Sequence, residues 1–339
     1  MLEESTTPLV EAHDLVMFDL DGVVYVGGEA VDGVAGAIDR VRAAGRHVAF
    51  VTNNASRTPD QVAAKLTKVG VTAEPGDVVT SAQAAARLLA EEHGEGARVL
   101  LLGGEGLRVA LLEAGLEPVE DPDGAVAVAS GYGPDVRWRD IMRAATLVRD
   151  GLPYVASNAD LTIPTPYGLA PGHGVLVRTI TGFAGVDVIV AGKPERPLME
   201  ETVLRVGGDR PLMVGDRLDT DIEGAHAIDA PSLLVLTGVT WLEELAAAPP
   251  ALRPTYVSPT VAGLFEPHQV PDVTGGAVEL GGWTATVDDG RLAVAGTGSD
   301  GDWWRVAATA CWVHLDRTGS PADVSDTKPP GPVRRLGAE

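Results

Sequence analysis

Cysteine is nearly absent from this chain: Cys311 stands alone among 339 residues. No intrachain disulfide can form, which excludes a disulfide-stapled secreted fold and fits a reducing, cytoplasmic setting. Cys311 itself reads as a small buried hydrophobe. Basic residues are scarce too. The 26 Lys and Arg against 48 Asp and Glu leave a formal charge of −22, so neither nucleic acid nor an anionic membrane is an expected partner. No apolar run approaches the ~20 residues of a membrane helix. Residues 1–8 carry two glutamates and no basic segment ahead of an apolar stretch, so no signal peptide is expected. The acidity sets one condition: a site that takes an anion must be made locally positive by a metal, a lysine or backbone N–H groups.

What is present is an ordinary globular composition, 45% hydrophobic and 22% charged, in a chain long enough for two or three domains. From residue 14 to about 263, short apolar runs alternate with amphipathic stretches of helical length, the rhythm of a mostly parallel α/β sheet. Strands are expected over 15–18, 47–52, 99–102, 125–129, 153–156, 188–190, 211–214 and 232–236. Thr58-Pro59-Asp60 should open a helix over 61–69, with threonine at the cap and proline in the first turn. Prolines then break the rhythm, and 267–271 reads as a linker. Beyond it a β-hairpin over 277–295, turned at Asp289-Gly290, and a helix over 302–315 are expected. The stretch from Arg317 reads as a disordered tail.

Four of the expected strands end in chemistry. Val16-Met17-Phe18 runs into Asp19-Leu20-Asp21-Gly22. An Asp-x-Asp pair is common in solvated turns, but Asp19 ends a run apolar enough to be a central strand, and ligands of open α/β sheets sit at the carboxyl ends of strands. Two carboxylates there require a cation, and hard oxygen donors imply magnesium. The strand through Val51 ends in Thr52-Asn53-Asn54, short donors suited to the oxygens of an anion, although a turn or capping cluster has the same composition. Val188-Ile189-Val190-Ala191 leads to Gly192-Lys193-Pro194, which delivers one directed positive charge without the glycine spacing or the Ser/Thr of a P-loop. Leu212-Met213-Val214 leads to Gly215-Asp216 and then to Asp219 and Asp221, with Asp216 the better metal ligand. Brought to one rim of a parallel sheet, these ends make a phosphate-and-metal site. Gly103-Gly104-Glu105-Gly106 lacks the spacing of a dinucleotide turn and reads as a plain strand-to-helix connection.

In this order, Asp-Leu-Asp-Gly, Thr-Asn-Asn, Gly-Lys-Pro and Gly-Asp-x-x-x-Thr-Asp, the chain resembles the haloacid dehalogenase (HAD) superfamily, subclass IIA, the p-nitrophenyl phosphatase and phosphoglycolate phosphatase group. The resemblance implies a Rossmann-like core over 1–81 and 186–265, an inserted α/β cap of the C2 type over 82–185, a small α+β extension over 271–316 and a disordered tail over 317–339. It implies a Mg2+-dependent phosphatase in which Asp19 attacks phosphorus and Asp21 protonates the leaving alkoxide. Thr52, the backbone at Asn53, Asn54 and Lys193 hold the phosphoryl group, and cap residues Asn158 and Asp160 lie near the substrate. Asp19, Asp216 and the Asp21 backbone carbonyl are the implied metal ligands. Asp221 orients Lys193 or a metal-bound water.

The segment after Pro271 resembles the acetyltransferase-like extension of members that act on glycerol 3-phosphate, which makes that compound the leading substrate. Phosphoglycolate and pyridoxal phosphate are alternatives, as are phosphate transfer to an acceptor other than water and a non-catalytic partner-binding role. Pairing of two copies through the cap is the family habit. The extension is short and has no acyl-CoA pyrophosphate loop, and Trp303, Trp304 and Trp312 read as its own core rather than a binding face. His173, in Pro171-Gly172-His173-Gly174, departs from the family pattern and is expected to face solvent.

Overall fold

The computed structural model describes residues 1–165 and 167–330. The chain divides into two units, one formed by Met1–Ala49, Val69–Thr72 and the chain from Val206 onward, the other by Phe50–Lys68 and Ala73–Arg205.

In the first unit the strand Leu15–Asp19 pairs in parallel with Pro211–Gly215, from Leu15 opposite Pro211 to Phe18 opposite Val214. Ser232–Val235 and Tyr256–Ser258 continue the ladder. On the other side the strand His47–Thr52 sets out, its first N–H donating to the Asp14 carbonyl at 2.9 Å. Leu15, Val16, Met17 and Phe18 are all fully buried. A parallel strand covered on both faces has to be apolar throughout, and for that reason the run reads as continuous rather than alternating. Sequence placed this strand and its partners correctly but gave no warning of Tyr256–Ser258, a strand of three residues.

The extension adds four antiparallel strands, Asp272–Thr274, Ala277–Leu280, Trp283–Asp288 and Arg291–Gly296, in that spatial order. The expected hairpin at Asp289-Gly290 is there, and two more precede it at Gly275-Gly276 and Gly281-Gly282. All six turn residues have positive φ, the geometry of two-residue type I′ turns, whose twist matches that of the strands they join. The helix Asp300–Thr318 follows, longer at both ends than expected. The Ser299 hydroxyl caps it by accepting from the Asp302 N–H, and Gly319 ends it at φ 75°.

Trp303, Trp304 and Trp312 are buried, as the sequence suggests, but the core they fill is shared. It also contains Leu234, Leu236, Leu242, Leu245 and Val257 from the strands and helix before the linker. Trp312 Nε1 donates to the Leu245 carbonyl at 2.7 Å, and Arg253 grips Asp316 through two bonds of 2.8 and 2.6 Å. The expected disordered tail is docked as far as it is described. Ala322 and Val324 are buried, Leu292 N–H donates to the Asp323 carbonyl, and Asp323 N–H to that of Gly290. Residues 331–339 of that expectation lie outside the described residues.

In the second unit Phe50 to Thr52 pair with Val78–Thr80. Thr80 then caps the helix Ser81–His93 in a reciprocal box with Gln83. The expected helix after Thr58 spans Pro59–Lys68, with Thr58 and Gln61 capping each other. A five-stranded parallel sheet runs in the order Ile189–Val190, Tyr154–Ala156, Ala127–Ser130, Arg98–Leu102, Glu117–Val119. Here one expectation is corrected: the strand before Lys193 does not share a rim with those bearing Asp19 and Asp216. It is a two-residue edge strand paired with Tyr154–Ala156, and Ile189 is 48% exposed. Apolar residues at a sheet edge give the same sequence signal as a buried central strand.

Candidate active site

The strand pairing that puts Phe18 opposite Val214 brings the next residues of both strands to one end of the first unit's ladder. There Asp19, Asp216 and Asp221 each offer a carboxylate oxygen, all within 4.8 Å of one another. Asp216 and Asp221 are fully buried, and Asp19 is half-buried.

Backbone groups set the two buried acids. Val239 N–H donates to Asp216 Oδ2 at 2.6 Å, and the N–H groups of Asp216 and Arg217 both donate to Asp221 Oδ2 at 3.1 Å. Glycines make the room. A Cβ on Gly22 or Gly238 would collide with the Asp216 carboxylate, and one on Gly215 would collide with Asp221. Gly22 also sits at φ 98°, a region few side chains tolerate. Thr237 ties the two glycine loops together by donating to the Gly22 carbonyl at 2.6 Å. Three carboxylates at this spacing, two of them out of water, repel one another strongly unless a cation is shared among them. An all-oxygen donor set fits a hard divalent ion of the magnesium class.

Asp21 stands apart from this group. Its side chain is exposed and accepts from the Tyr25 hydroxyl at 3.3 Å, which leaves it clear of the three packed acids. Asp221, expected only to orient its neighbours, has its carboxylate inside the cluster, although two backbone donors already occupy one of its oxygens. The loop at Thr237 to Val239 went unnoticed in the sequence. Its signal was a Thr-Gly directly after an apolar strand, the same punctuation as at the other strand ends.

The second unit gathers the polar residues. Thr52 is buried, and its Oγ1 accepts from the Asn54 N–H at 3.1 Å. Asn53 joins three segments. Its Oδ1 accepts from the Lys193 N–H at 2.8 Å, while its Nδ2 donates to the Lys193 carbonyl at 3.0 Å and to the Asp160 carboxylate at 3.2 Å. The Asn53 carbonyl accepts from Ser81 Oγ and from Asn158 Nδ2, at 2.7 and 2.8 Å. Gly192 is needed beside it, because a Cβ there would press on Asn53 Oδ1 and the Ser157 carbonyl. Lys193 is buried, its Nζ 3.4 Å from the Val51 carbonyl. The side chain of Asn54 is occupied by the turn, accepting from the Ser56 and Arg57 N–H groups. The side chains of Asn53, Asn54 and Asn158 therefore serve as architecture, and what Thr52-Asn53-Asn54 can offer an anion is chiefly the backbone at Asn53 and the Thr52 hydroxyl.

The expectation for His173 is overturned. It is 4% exposed, with Nδ1 2.8 Å from the Asn158 carbonyl and Nε2 3.0 Å from Ser130 Oγ, which lies 2.7 Å from the Tyr154 hydroxyl. Burial pushes the imidazole down to about 4, partly offset by the Asn158 contact, so it is neutral at pH 7. A polar residue between two glycines reads as surface turn until the fold wraps strands around it.

A parallel α/β unit with a cluster of carboxylates at its strand ends defines a hydrolase of the haloacid dehalogenase type, and the comparisons agree. The haloacid dehalogenase-like hydrolase family model matches residues 16–117, and a HAD-hydrolase-like model matches 190–264. The chain belongs to the haloacid dehalogenase-like hydrolases. It is 43% identical over 286 residues to a D-glycerol 3-phosphate phosphatase of Mycobacterium tuberculosis, covering 82% of this chain and 79% of that protein. An acid sugar phosphatase of Staphylococcus haemolyticus is 37% identical over 68% of this chain and 87% of its own. Among solved structures, a glycerol phosphate phosphatase from M. tuberculosis in complex with magnesium superposes with a TM-score of 0.83 at 40% identity, over 91% of this chain and 93% of that one. A p-nitrophenyl phosphatase from Archaeoglobus fulgidus gives 0.69 at 29% identity, over 75% and 98%. Among the described residues no helix is long and apolar enough to cross a membrane.

Proposed function

We propose that this chain is a magnesium-dependent phosphatase of small phosphomonoesters acting in the cytoplasm, with glycerol 3-phosphate as its leading substrate. The observation that carries the reading is the convergence of Asp19, Asp216 and Asp221 within 4.8 Å at the ends of two paired strands. The substrate is suggested by the 43% identity to a D-glycerol 3-phosphate phosphatase, which reaches past the linker into the extension in its coverage.

In this reading 1–81 and 186–265 form the catalytic core, 82–185 the cap that reads the leaving group, and 271–316 an extension. Asp19 attacks phosphorus in line and forms an aspartyl-phosphate, while Asp21 delivers a proton to the departing alkoxide and then takes one from the water that hydrolyses the intermediate. Thr52 and the backbone at Asn53 hold the phosphoryl oxygens, and Lys193 answers their charge. Asp19 and Asp216, with the Asp21 carbonyl, would hold magnesium, which supplies charge neutralisation between carboxylate and phosphate. Asp221, fixed by two amides, keeps the Asp216 turn in place. By the family resemblance two copies pair through the cap, and the particle mass in solution tests whether they pair.

The test is phosphate release from a panel of small phosphomonoesters with magnesium present, for the native chain and for Asp19→Asn. The amide is nearly isosteric and is not a nucleophile, so turnover should fall roughly 10³-fold or more with the fold intact. Near-native turnover by Asp19→Asn, or full activity after removal of divalent metal, would overturn the mechanism.

A further inference from the structure

We infer that His173 is a positioning residue: as a neutral imidazole carrying its proton on Nδ1, it holds the 157–160 loop in the shape that presents Asn158 and Asp160 to Asn53, and so seats Lys193. The inference rests on the phosphatase reading for its kinetic consequence, and on geometry alone for the assignment of the bonds.

Ser130, Tyr154 and His173 come from two neighbouring strands and the first turn of the helix His173–Ala184, and all three are buried. Polar groups removed from water are costly unless each finds a partner, and here each does. Only one arrangement of protons satisfies them. The Asn158 carbonyl can only accept, so His173 Nδ1 carries a hydrogen. In the neutral ring Nε2 is then bare and accepts from the Ser130 hydroxyl. Ser130 Oγ, its proton committed, accepts from the Tyr154 hydroxyl. The chain of bonds thus runs from Tyr154 through Ser130 and His173 and ends on the loop.

His173 does not act by itself. Gly172 N–H donates to the Leu161 carbonyl and Gly174 N–H to the Asp160 carbonyl, each at 2.8 Å. A Cβ on either glycine would strike the Asp160 or Ala159 carbonyl. The start of the helix therefore lies directly against the loop and takes up three of its carbonyls, at 158, 160 and 161. With the backbone held there, Asn158 Oδ1 accepts from the Asp160 N–H at 3.2 Å, Asn158 Nδ2 reaches the Asn53 carbonyl, and the Asp160 carboxylate reaches Asn53 Nδ2. Asn53 in turn makes the paired backbone contacts to Lys193. Among the side chains at the helix start, the imidazole supplies the bond that fixes residue 158.

The test compares three variants with the native chain. His173→Leu fills the space without a donor, His173→Asn keeps a donor where Nδ1 sits, and Ser130→Ala removes the partner of Nε2 and of the Tyr154 hydroxyl while leaving the Nδ1 bond in place. The readouts are kcat and KM for phosphate release from one phosphomonoester, and the imidazole tautomer by 15N NMR of histidine-labelled native protein. We expect the Nδ1–H tautomer. His173→Leu should lower kcat roughly 10- to 100-fold, the scale of lost outer-shell support, whereas His173→Asn and Ser130→Ala should stay within about fivefold of native. An Nε2–H tautomer, or a folded His173→Leu with native kcat, or a His173→Asn as impaired as the leucine variant, overturns the inference. If His173→Leu does not fold, the tautomer and the His173→Asn kinetics decide it. If the native chain releases no phosphate from any phosphomonoester, the functional reading fails while the NMR result still judges the bond assignment.

Discussion

Asn53 and Lys193, 140 residues apart, exchange hydrogen bonds in both directions: the Lys193 N–H donates to Asn53 Oδ1, and Asn53 Nδ2 donates back to the Lys193 carbonyl. A side-chain amide is the one group of this size that can present an acceptor and a donor side by side to a peptide unit. The lysine is thereby placed by its backbone as well as by the reach of its Nζ to the Val51 carbonyl.

Asn53→Asp should therefore impair the enzyme while leaving it folded. The carboxylate still accepts from the Lys193 N–H but cannot donate to its carbonyl, and it faces the Asp160 carboxylate. A displacement of Lys193 on the ångström scale costs on the order of 10²-fold in kcat. Phosphate-release kinetics beside a thermal melt check this; native kcat in the variant contradicts it.

Gly238→Ala probes the acid cluster. Unlike Gly22, Gly238 does not have a left-handed backbone, so the added methyl group acts only by steric contact with the Asp216 carboxylate. Displacing that carboxylate should weaken magnesium activation, raising the metal concentration for half-maximal activity roughly 10-fold or more. A magnesium titration of activity reads it directly.

The extension should not be separable from the rest. Its helix and the strands before the linker fill one core, so a chain ended after residue 270 exposes Leu242, Leu245 and Val257 and is expected to aggregate or melt early. A soluble truncated chain with a native melting curve would disprove this. At the same junction Asp316→Ala should cost more than Arg253→Met. The first takes both carboxylate bonds from a guanidinium on a residue only 5% exposed and leaves it the Nε bond to the Ala248 carbonyl, a loss of about 2 kcal/mol, while the second leaves a half-exposed carboxylate that water can serve. Urea denaturation of the pair orders the two losses.

Stability should fall in mild acid. His173 and His268 are both pushed by burial from an ordinary 6.5 down to about 4. Between those values the unfolded chain binds protons that the folded chain refuses, so their full contribution is present above pH 6.5 and declines as pH drops toward 4. The gap corresponds to at most about 3 kcal/mol for each ring. His173→Asn should lose less stability than the native chain between pH 7 and 5; equal losses would contradict the assignment.

The residues proposed to do the chemistry were legible in the sequence because each stands at the end of an apolar run. Asp19 and Thr52 are the last residues of their strands and Lys193 and Asp216 come shortly after theirs, and an apolar stretch stopped by a polar residue marks a strand end without knowledge of the fold. The turns at Gly275-Gly276 and Gly281-Gly282 carried the same type I′ composition as Asp289-Gly290, but strands of three and four residues left too little pattern between them to be read. Ser130, Tyr154 and His173 gave no signal, since their neighbours in sequence are not their partners.

By itself, then, the order of residues determined the class of chemistry, the parallel α/β rhythm and the acids, hydroxyl and lysine proposed to carry it, because apolar runs and the polar residues that end them are local properties of the chain. Only the tertiary structure decided that Lys193 leaves an edge strand of the second sheet, that the tryptophans of the extension close a core begun before the linker, and that His173 is enclosed rather than exposed. Those outcomes depend on which segments pack together, and hydrogen bonds and buried surface between residues distant in sequence come into being only once the backbone has folded.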